Sequence, residues 1–227
     1  MPAIGKTAFA LNIVNNLIRE EGHVAYYDLS RPVKETMKKL LGITANVNTA
    51  LNKEYSRVER SQLEKAGELL QNSWLYMEHV YGDPIEKLHE KCLNMDPQLN
   101  LIVIDGAEHL LSAKPADDSK DNDYWVNQEL QEMARNCRCP ILLLKEPTRW
   151  KRMPGEGMNV RALFHQLEEA DRTDSEIWLL QYEDCEFPNG HSQRATLTMK
   201  KRSAENPYLA GTMKFEPETL RLTEIRG

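Results

Sequence analysis

The sequence predicts an α/β fold: a mostly parallel sheet flanked by helices, with an antiparallel C-terminal extension. Three observations carry this. Along the first two thirds of the chain, apolar residues switch repeatedly between helical spacing and short continuous runs, the pattern of helices alternating with buried strands. A Gly5-Lys6-Thr7 triplet opens the first of the helical runs. The last third holds strand-like runs separated by turn residues, which is the layout of antiparallel pairing.

The elements follow in order. A helix is expected from about Thr7 to Glu21, with Leu11, Val14, Leu17 and Ile18 on one face and Gly22 ending it. His23 to Leu29 reads as a buried strand, and after Pro32 a helix aligns Val33, Met37, Leu40 and Leu41. The polar stretch from Thr44 to Arg57 contains a loop, and the next helix carries Leu63, Ala66, Leu69 and Leu70. Trp74 to Val80 is a strand. Asp83-Pro84-Ile85-Glu86 has the form of a helix start, with Asp83 as cap, Pro84 in the first turn and Glu86 reaching back. Leu99 to Ile104 is an apolar strand ending in Asp105, followed by a polar, acidic loop from Ser112 to Asp123. A helix around Tyr124 to Asn136 precedes the short strand Ile141 to Leu144. Residues 145 to 161 read as a loop. Strands are expected at about Ile177–Tyr182, Ala195–Met199, Thr212–Phe215 and Leu220–Thr223, the last three as antiparallel additions to the sheet.

Composition narrows the function. The chain has 227 residues with 29 Lys+Arg against 35 Asp+Glu, a net charge of −6. That excludes an all-round basic nucleic-acid binder but leaves room for local basic patches. We expect one domain spanning 1–227, large enough to hold a core without staples. No apolar run approaches the roughly 18 residues of a membrane span, so no membrane partner is expected. The opening residues lack a signal-peptide layout. Four scattered cysteines, Cys92, Cys137, Cys139 and Cys185, read as reduced thiols of a cytoplasmic protein.

Pro2-Ala3-Ile4-Gly5-Lys6-Thr7 is the most informative segment. The phosphate-loop pattern is G-x-x-x-x-G-K-[ST] opening a helix. Backbone N–H groups wrap the phosphates, the lysine reaches the β- and γ-phosphates, and the hydroxyl faces Mg²⁺. Gly5, Lys6 and Thr7 meet that need, whereas the pattern's first glycine and the strand before the loop are not in the sequence. Leu101-Ile102-Val103-Ile104-Asp105 has the form of the strand whose aspartate holds Mg²⁺. The site expected from these motifs comprises Ala3, Ile4, Gly5, Lys6, Thr7 and Ala8 around ATP, with Thr7 and Asp105 at Mg²⁺.

The run from Pro2 to Ile13 resembles the phosphate loop and first helix of the bacterial DnaB family of replicative DNA helicases, in its C-terminal, RecA-like motor domain. The resemblance extends to Leu101–Asp105, to the strand Cys139–Leu144, to Thr198-Met199-Lys200-Lys201-Arg202 near the end, and to Gly211-Thr212 with Phe215. It implies a RecA-like P-loop NTPase fold, ATP hydrolysis with Mg²⁺, a ring of like subunits and single-stranded DNA threaded through it, in DNA replication. By the same resemblance Arg149 belongs to the nucleotide site, and Lys200 and Arg202 reach the neighbouring subunit's ATP.

Departures from the family pattern point the other way. The family's glutamate, which activates water, has Ser30 in its place, and a serine cannot accept a proton near neutral pH. Asp28 is displaced by two residues, about 7 Å along a strand. Glu146 stands where the family has a glutamine, bringing negative charge toward the γ-phosphate. Gln166-Leu167-Glu168-Glu169 stands where the family's DNA-binding loop carries an arginine. The family's N-terminal collar is not in the sequence, so a ring is expected only with further partners. Two readings result: an ATP-binding helicase motor with weakened or lost hydrolysis, or a catalytically inactive RecA-like domain serving protein interaction or regulation.

Other patterns carry less. The six histidines show no metal spacing, and Cys137-x-Cys139 is not a redox motif. The basic loop from Lys145 to Arg152, with Trp150, suits either nucleic-acid contact or a solvated surface. The acidic run from Asp117 to Asp123 lacks the spacing of a Ca²⁺ loop.

Overall fold

A computed structural model describes residues 4–49, 54–114, 122–145, 176–187, 190–201 and 208–225; side chains are described for these except at 4, 176–187, 190–192, 200–201 and 208. The chain divides into two compact units, Met1–Glu146 with Glu218–Arg221, and Pro147–Pro217 with Leu222–Gly227.

The first unit is the α/β body. It contains α1 (Ile4–Arg19), β1 (Val24–Asp28), α2 (Val33–Ala45), α3 (Arg57–Gln71), β2 (Leu75–His79), α4 (Ile85–Leu93), β3 (Leu101–Asp105), α5 (Asn122–Cys137) and β4 (Ile141–Leu144). The strands form one sheet in the order β2-β1-β3-β4, and every pair is parallel. Parallel strands need a crossover between them, and the helices supply it.

Strand alternation divides the core. Val24 and Tyr26 of β1 with Leu101 and Val103 of β3 face Leu11, Val14 and Ile18 of α1 and Leu40 and Ile43 of α2. Ala25 and Tyr27 with Ile102 and Ile104 face Ile85 and Leu88 of α4 and Val126, Leu130 and Met133 of α5. Both β1 and β3 are buried at every position, as expected of strands covered on both sides. Each fully buried Leu or Ile here contributes roughly 1.5–3 kcal/mol of apolar transfer. Leu220 joins the α1 side, and its carbonyl accepts from Asn12 Nδ2 at 2.8 Å.

Local sequence sets the element ends. Gly22 closes α1: its N–H donates to the Leu17 carbonyl at 2.8 Å, and a Cβ there would stand 3.0 Å from that oxygen. Ser56 and Glu59 form a reciprocal capping box at the start of α3. The expected capping by Asp83 and Glu86 is not what forms at α4. Pro84 holds the cap position without a side-chain hydrogen bond. Asp83 pairs with Lys87 at 2.8 Å, while Glu86 accepts from Ser112 Oγ at 2.5 Å and from the Ala113 N–H at 2.9 Å. A long-range partner outcompetes the local one. The helix α1 begins at Ile4 rather than Thr7, which places Gly5, Lys6 and Thr7 in its first turn.

The second unit is built on antiparallel strands. β5 (Glu176–Phe187), β6 (Gly190–Lys201), β7 (Tyr208–Glu216) and β8 (Arg221–Glu224) form a sheet in sequential order, with Phe187 paired to Gly190 at the first hairpin. These strands are longer than expected. They make a sheet of their own rather than adding to the parallel one, because each finds its partner in the strand next in sequence. Ala195 and Phe215 are buried in this sheet. No described helix is long and apolar enough to cross a membrane.

Candidate functional site

β1 and β3 end side by side, with Asp28 and Asp105 as register partners. In an open parallel sheet the C-terminal strand edge is where ligand sites gather. Asp105 is buried there, on the same side of the sheet as α1. The first turn of α1 brings Thr7 to it: Thr7 Oγ1 donates to Asp105 Oδ2 at 2.7 Å. Tyr26, two residues before Asp28 on β1, donates its hydroxyl to the same oxygen at 2.9 Å. Burial raises the Asp105 carboxyl above its ordinary value, against the pull of the Thr7 and Tyr26 hydroxyls. Burial, and then the charge of Asp105, raise the Tyr26 hydroxyl in turn, so it stays a donor.

Lys6 extends from the same turn to the end of β4, where its Nζ donates to the Lys145 carbonyl at 3.2 Å. Backbone N–H groups in a helix's first turn point outward unpaired by the helix itself and favour an anion. Lys6, the helix start and the Thr7–Asp105 pair therefore lie together at one sheet edge. A threonine hydroxyl beside a buried carboxylate is an oxygen donor set suited to Mg²⁺, and these residues fit a nucleotide's polyphosphate with its metal.

The carboxylate of Asp28 has another use. Its Oδ1 accepts from the N–H groups of Ser30 at 2.9 Å and Arg31 at 2.8 Å, and its Oδ2 accepts from Thr36 Oγ1 at 2.6 Å. Pro32, at the α2 cap position, provides no side-chain cap, and Asp28 organises the turn in its stead. Ser30 is exposed at the strand's end. It lies against Gly106, whose φ is +86°; a Cβ on that glycine would collide with Ser30 Oγ. The turn after β1 and the turn after β3 thus lie close together, and the left-handed backbone at Gly106 favours glycine there.

Of the residues expected from sequence, Gly5, Lys6, Thr7, Ala8 and Asp105 converge, with Ala8 buried behind the turn. Ile4 starts the helix. Ser30 sits at the neighbouring strand end. Lys200 lies on β6, paired with Ile177. Ala3, Glu146, Arg149 and Arg202 lie outside the described residues, as do residues 117–121 of the acidic run and the segment 166–169; Asn122 and Asp123, expected in the loop, open α5 instead. Among the described residues, no group of three or more His, Cys, Asp or Glu side chains could hold a metal ion, and Cys92, Cys137 and Cys139 are free thiols.

Tyr26, Arg31 and Lys39 were not expected at the site from sequence. Arg31 Nη1 donates to Thr7 Oγ1 at 3.3 Å. Lys39 of α2 feels Arg31, Asp105 and Asp28, and its ammonium is held below the usual lysine value by burial first and the Arg31 charge second. A signal for Tyr26 was present: it alternates with Asp28, so both point to one face.

A family model of the DnaB-like helicase C-terminal domain matches residues 1–209. The chain belongs to that family. Among curated DnaB-family relatives, the replicative DNA helicase DnaC of Bacillus subtilis (strain 168) is 26% identical over 154 residues, covering 65% of this chain and 34% of that protein. The replicative DNA helicase DnaB of Geobacillus stearothermophilus is 24% identical over 155 residues, with the same coverage of 65% and 34%. The chain thus spans about a third of the length of the curated relatives it matches. Two solved structures share the fold. One, an ATPase domain, superposes with a TM-score of 0.77 at 20% identity, over 99% of this chain and 82% of that one. The other, a DnaB-like replicative helicase studied with its interactions with primase, gives 0.75 at 19% identity, over 99% and 57%. The RecA-like α/β fold with its antiparallel C-terminal sheet is that of the DnaB ATPase domain.

Proposed function

We propose that this chain is the ATP-binding motor domain of a DnaB-type replicative helicase, with hydrolysis weakened or lost. The contact that carries the reading is Thr7 Oγ1 to Asp105 Oδ2 at 2.7 Å, bridging the first turn of α1 and the end of β3. Gly5, Lys6, Thr7 and Ala8 take the phosphates, together with Ala3, Ile4 and Arg149. Thr7 and Asp105 hold Mg²⁺, which neutralises phosphate charge when bound.

What the site lacks supports loss of hydrolysis. Water beside the γ-phosphate needs a base, and Ser30 has no basic group to offer. Asp28 accepts three hydrogen bonds from its own turn, so recruiting it would unmake the entry to α2. Glu146, in place of the family's glutamine, adds negative charge where the transition state already spreads it. Lys200 and Arg202 are the residues proposed to reach a neighbour's nucleotide in a ring with single-stranded DNA at its centre. We expect the ring to need further partners, and the chain to be monomeric in dilute solution.

Nucleotide binding tests this reading. ATP with Mg²⁺ at millimolar concentration raises the melting temperature by linkage, and Lys6→Ala abolishes the rise while leaving the unliganded melting temperature nearly unchanged. No rise with the unaltered protein rejects the reading.

A further inference from the structure

We infer that Tyr26 is a positioning residue of the nucleotide site: its hydroxyl, donating alongside Thr7 to one oxygen of Asp105, sets that carboxylate to serve Mg²⁺ through the other. This rests on the nucleotide site proposed above.

Tyr26 is the register partner of Val103. Strand alternation puts Tyr26 and Asp105 on one face of the sheet, with Asp105 a diagonal step away, within reach of a long aromatic side chain. The ring is buried in the apolar cluster beneath α1 and α2. A phenylalanine would fill that place equally well. The hydroxyl is what tyrosine adds, and it donates to Asp105 Oδ2 at 2.9 Å.

An ionised carboxylate offers two oxygens and about four lone-pair sites. Thr7 Oγ1 donates to Oδ2 at 2.7 Å, and Tyr26 donates to the same atom. Among the described residues no hydrogen bond reaches Oδ1, and it is not a buried orphan, so it is open to the site. A single donor would leave the carboxylate free to turn about its Cβ–Cγ bond and exchange its oxygens. Two donors, one from the first turn of α1 and one from β1, fix which oxygen faces inward. The Tyr26 donor is the firmer of the two, because its ring is locked in the core. Both residues are buried, so bulk water does not stand ready to replace it. Hydrogen bonds behind a metal-binding carboxylate hold its orientation, and losing one costs about 10–100-fold in metal affinity.

The experiment measures ATP affinity by calorimetry on the purified chain, in excess Mg²⁺ and in excess EDTA. It compares the unaltered protein, Tyr26→Phe, Asp105→Asn and the double variant. The unaltered protein should bind ATP more tightly in Mg²⁺ than in EDTA. Tyr26→Phe should keep its EDTA affinity within about twofold and lose about tenfold in Mg²⁺. The retained EDTA affinity also shows that this variant is folded. In the Asp105→Asn background the same change should cost nothing further in Mg²⁺, because the hydroxyl acts through that carboxylate. Equal loss in both conditions, or a Tyr26→Phe protein that no longer folds, gives the hydroxyl a purely structural part and overturns the inference. So does unchanged affinity in Mg²⁺, and in each of these cases the nucleotide site stands. An unaltered protein whose ATP affinity is the same in Mg²⁺ and EDTA overturns both the inference and the metal placed on Thr7 and Asp105. Absence of ATP binding in both conditions overturns the nucleotide reading and this inference with it.

Discussion

Two strand ends stand side by side in this molecule and do different work. β1 ends in Asp28 and β3 in Asp105, register partners across one ladder and both buried. Asp28 accepts two N–H groups and a hydroxyl, all from the turn that follows its own strand and the helix it enters. Asp105 accepts two hydroxyls from elsewhere, Thr7 on α1 and Tyr26 on β1. The first carboxylate builds the local chain; the second joins elements remote in sequence around a place for charge. An aspartate at the edge of a parallel sheet is therefore not by itself a site. The origin of its hydrogen-bond donors distinguishes the two cases.

The comparison breaks most visibly at Asp28. Asp28→Ala leaves the N–H groups of Ser30 and Arg31 and the Thr36 hydroxyl without their acceptor. Unmade bonds of this kind cost about 1–3 kcal/mol each when buried, and water reaches part of the turn, so we expect a loss of about 3 kcal/mol. Urea unfolding checks it. A loss below about 1 kcal/mol would mean that the turn is held by something other than this carboxylate.

Asp105→Asn is expected to do far less to stability, because one amide oxygen can accept from both hydroxyls. Its effect lies in pH dependence. Burial holds the Asp105 carboxyl above its ordinary value of 3.8, so folding favours the protonated form. That contribution is fully present below about pH 4 and is lost as the pH rises through the raised value. The asparagine variant has nothing to lose there. Relative to the unaltered protein it should gain stability as the pH climbs from about 4 toward neutrality. Unfolding free energies of the two proteins across that range test this, and a difference independent of pH would contradict it. ATP binding in Mg²⁺ should weaken in this variant even where its stability is improved.

Much of this was legible in the sequence, and the gaps have physical reasons. The alternation of periods located the helices and strands of the α/β body, and Gly5-Lys6-Thr7 with Leu101–Asp105 marked the two halves of the site. Both are local patterns. Tyr26 read only as part of a buried strand, because its role depends on which strand lies beside β1. Nothing in the sequence marks Arg31, since its contact with Thr7 spans 24 positions. Glu86 matched a capping pattern and was misread, because Ser112 and Ala113 come to it from beyond β3. The C-terminal strands were visible through their turns, yet strand-forming residues do not announce which sheet they join.

If nucleotide binding and hydrolysis have parted in this molecule, as proposed, the decisive measurement is ATP turnover by the purified chain. It is made with and without single-stranded DNA, at a concentration where ATP binding has been established by the rise in melting temperature. A positioned base is worth about 10²–10⁴-fold in rate. With Ser30 in its place and Asp28 committed to its turn, turnover should stay at background in both conditions while binding persists. DNA-stimulated hydrolysis at several turnovers per second would contradict the proposal, and would mean that Asp28, at the expense of its turn, or another carboxylate activates water.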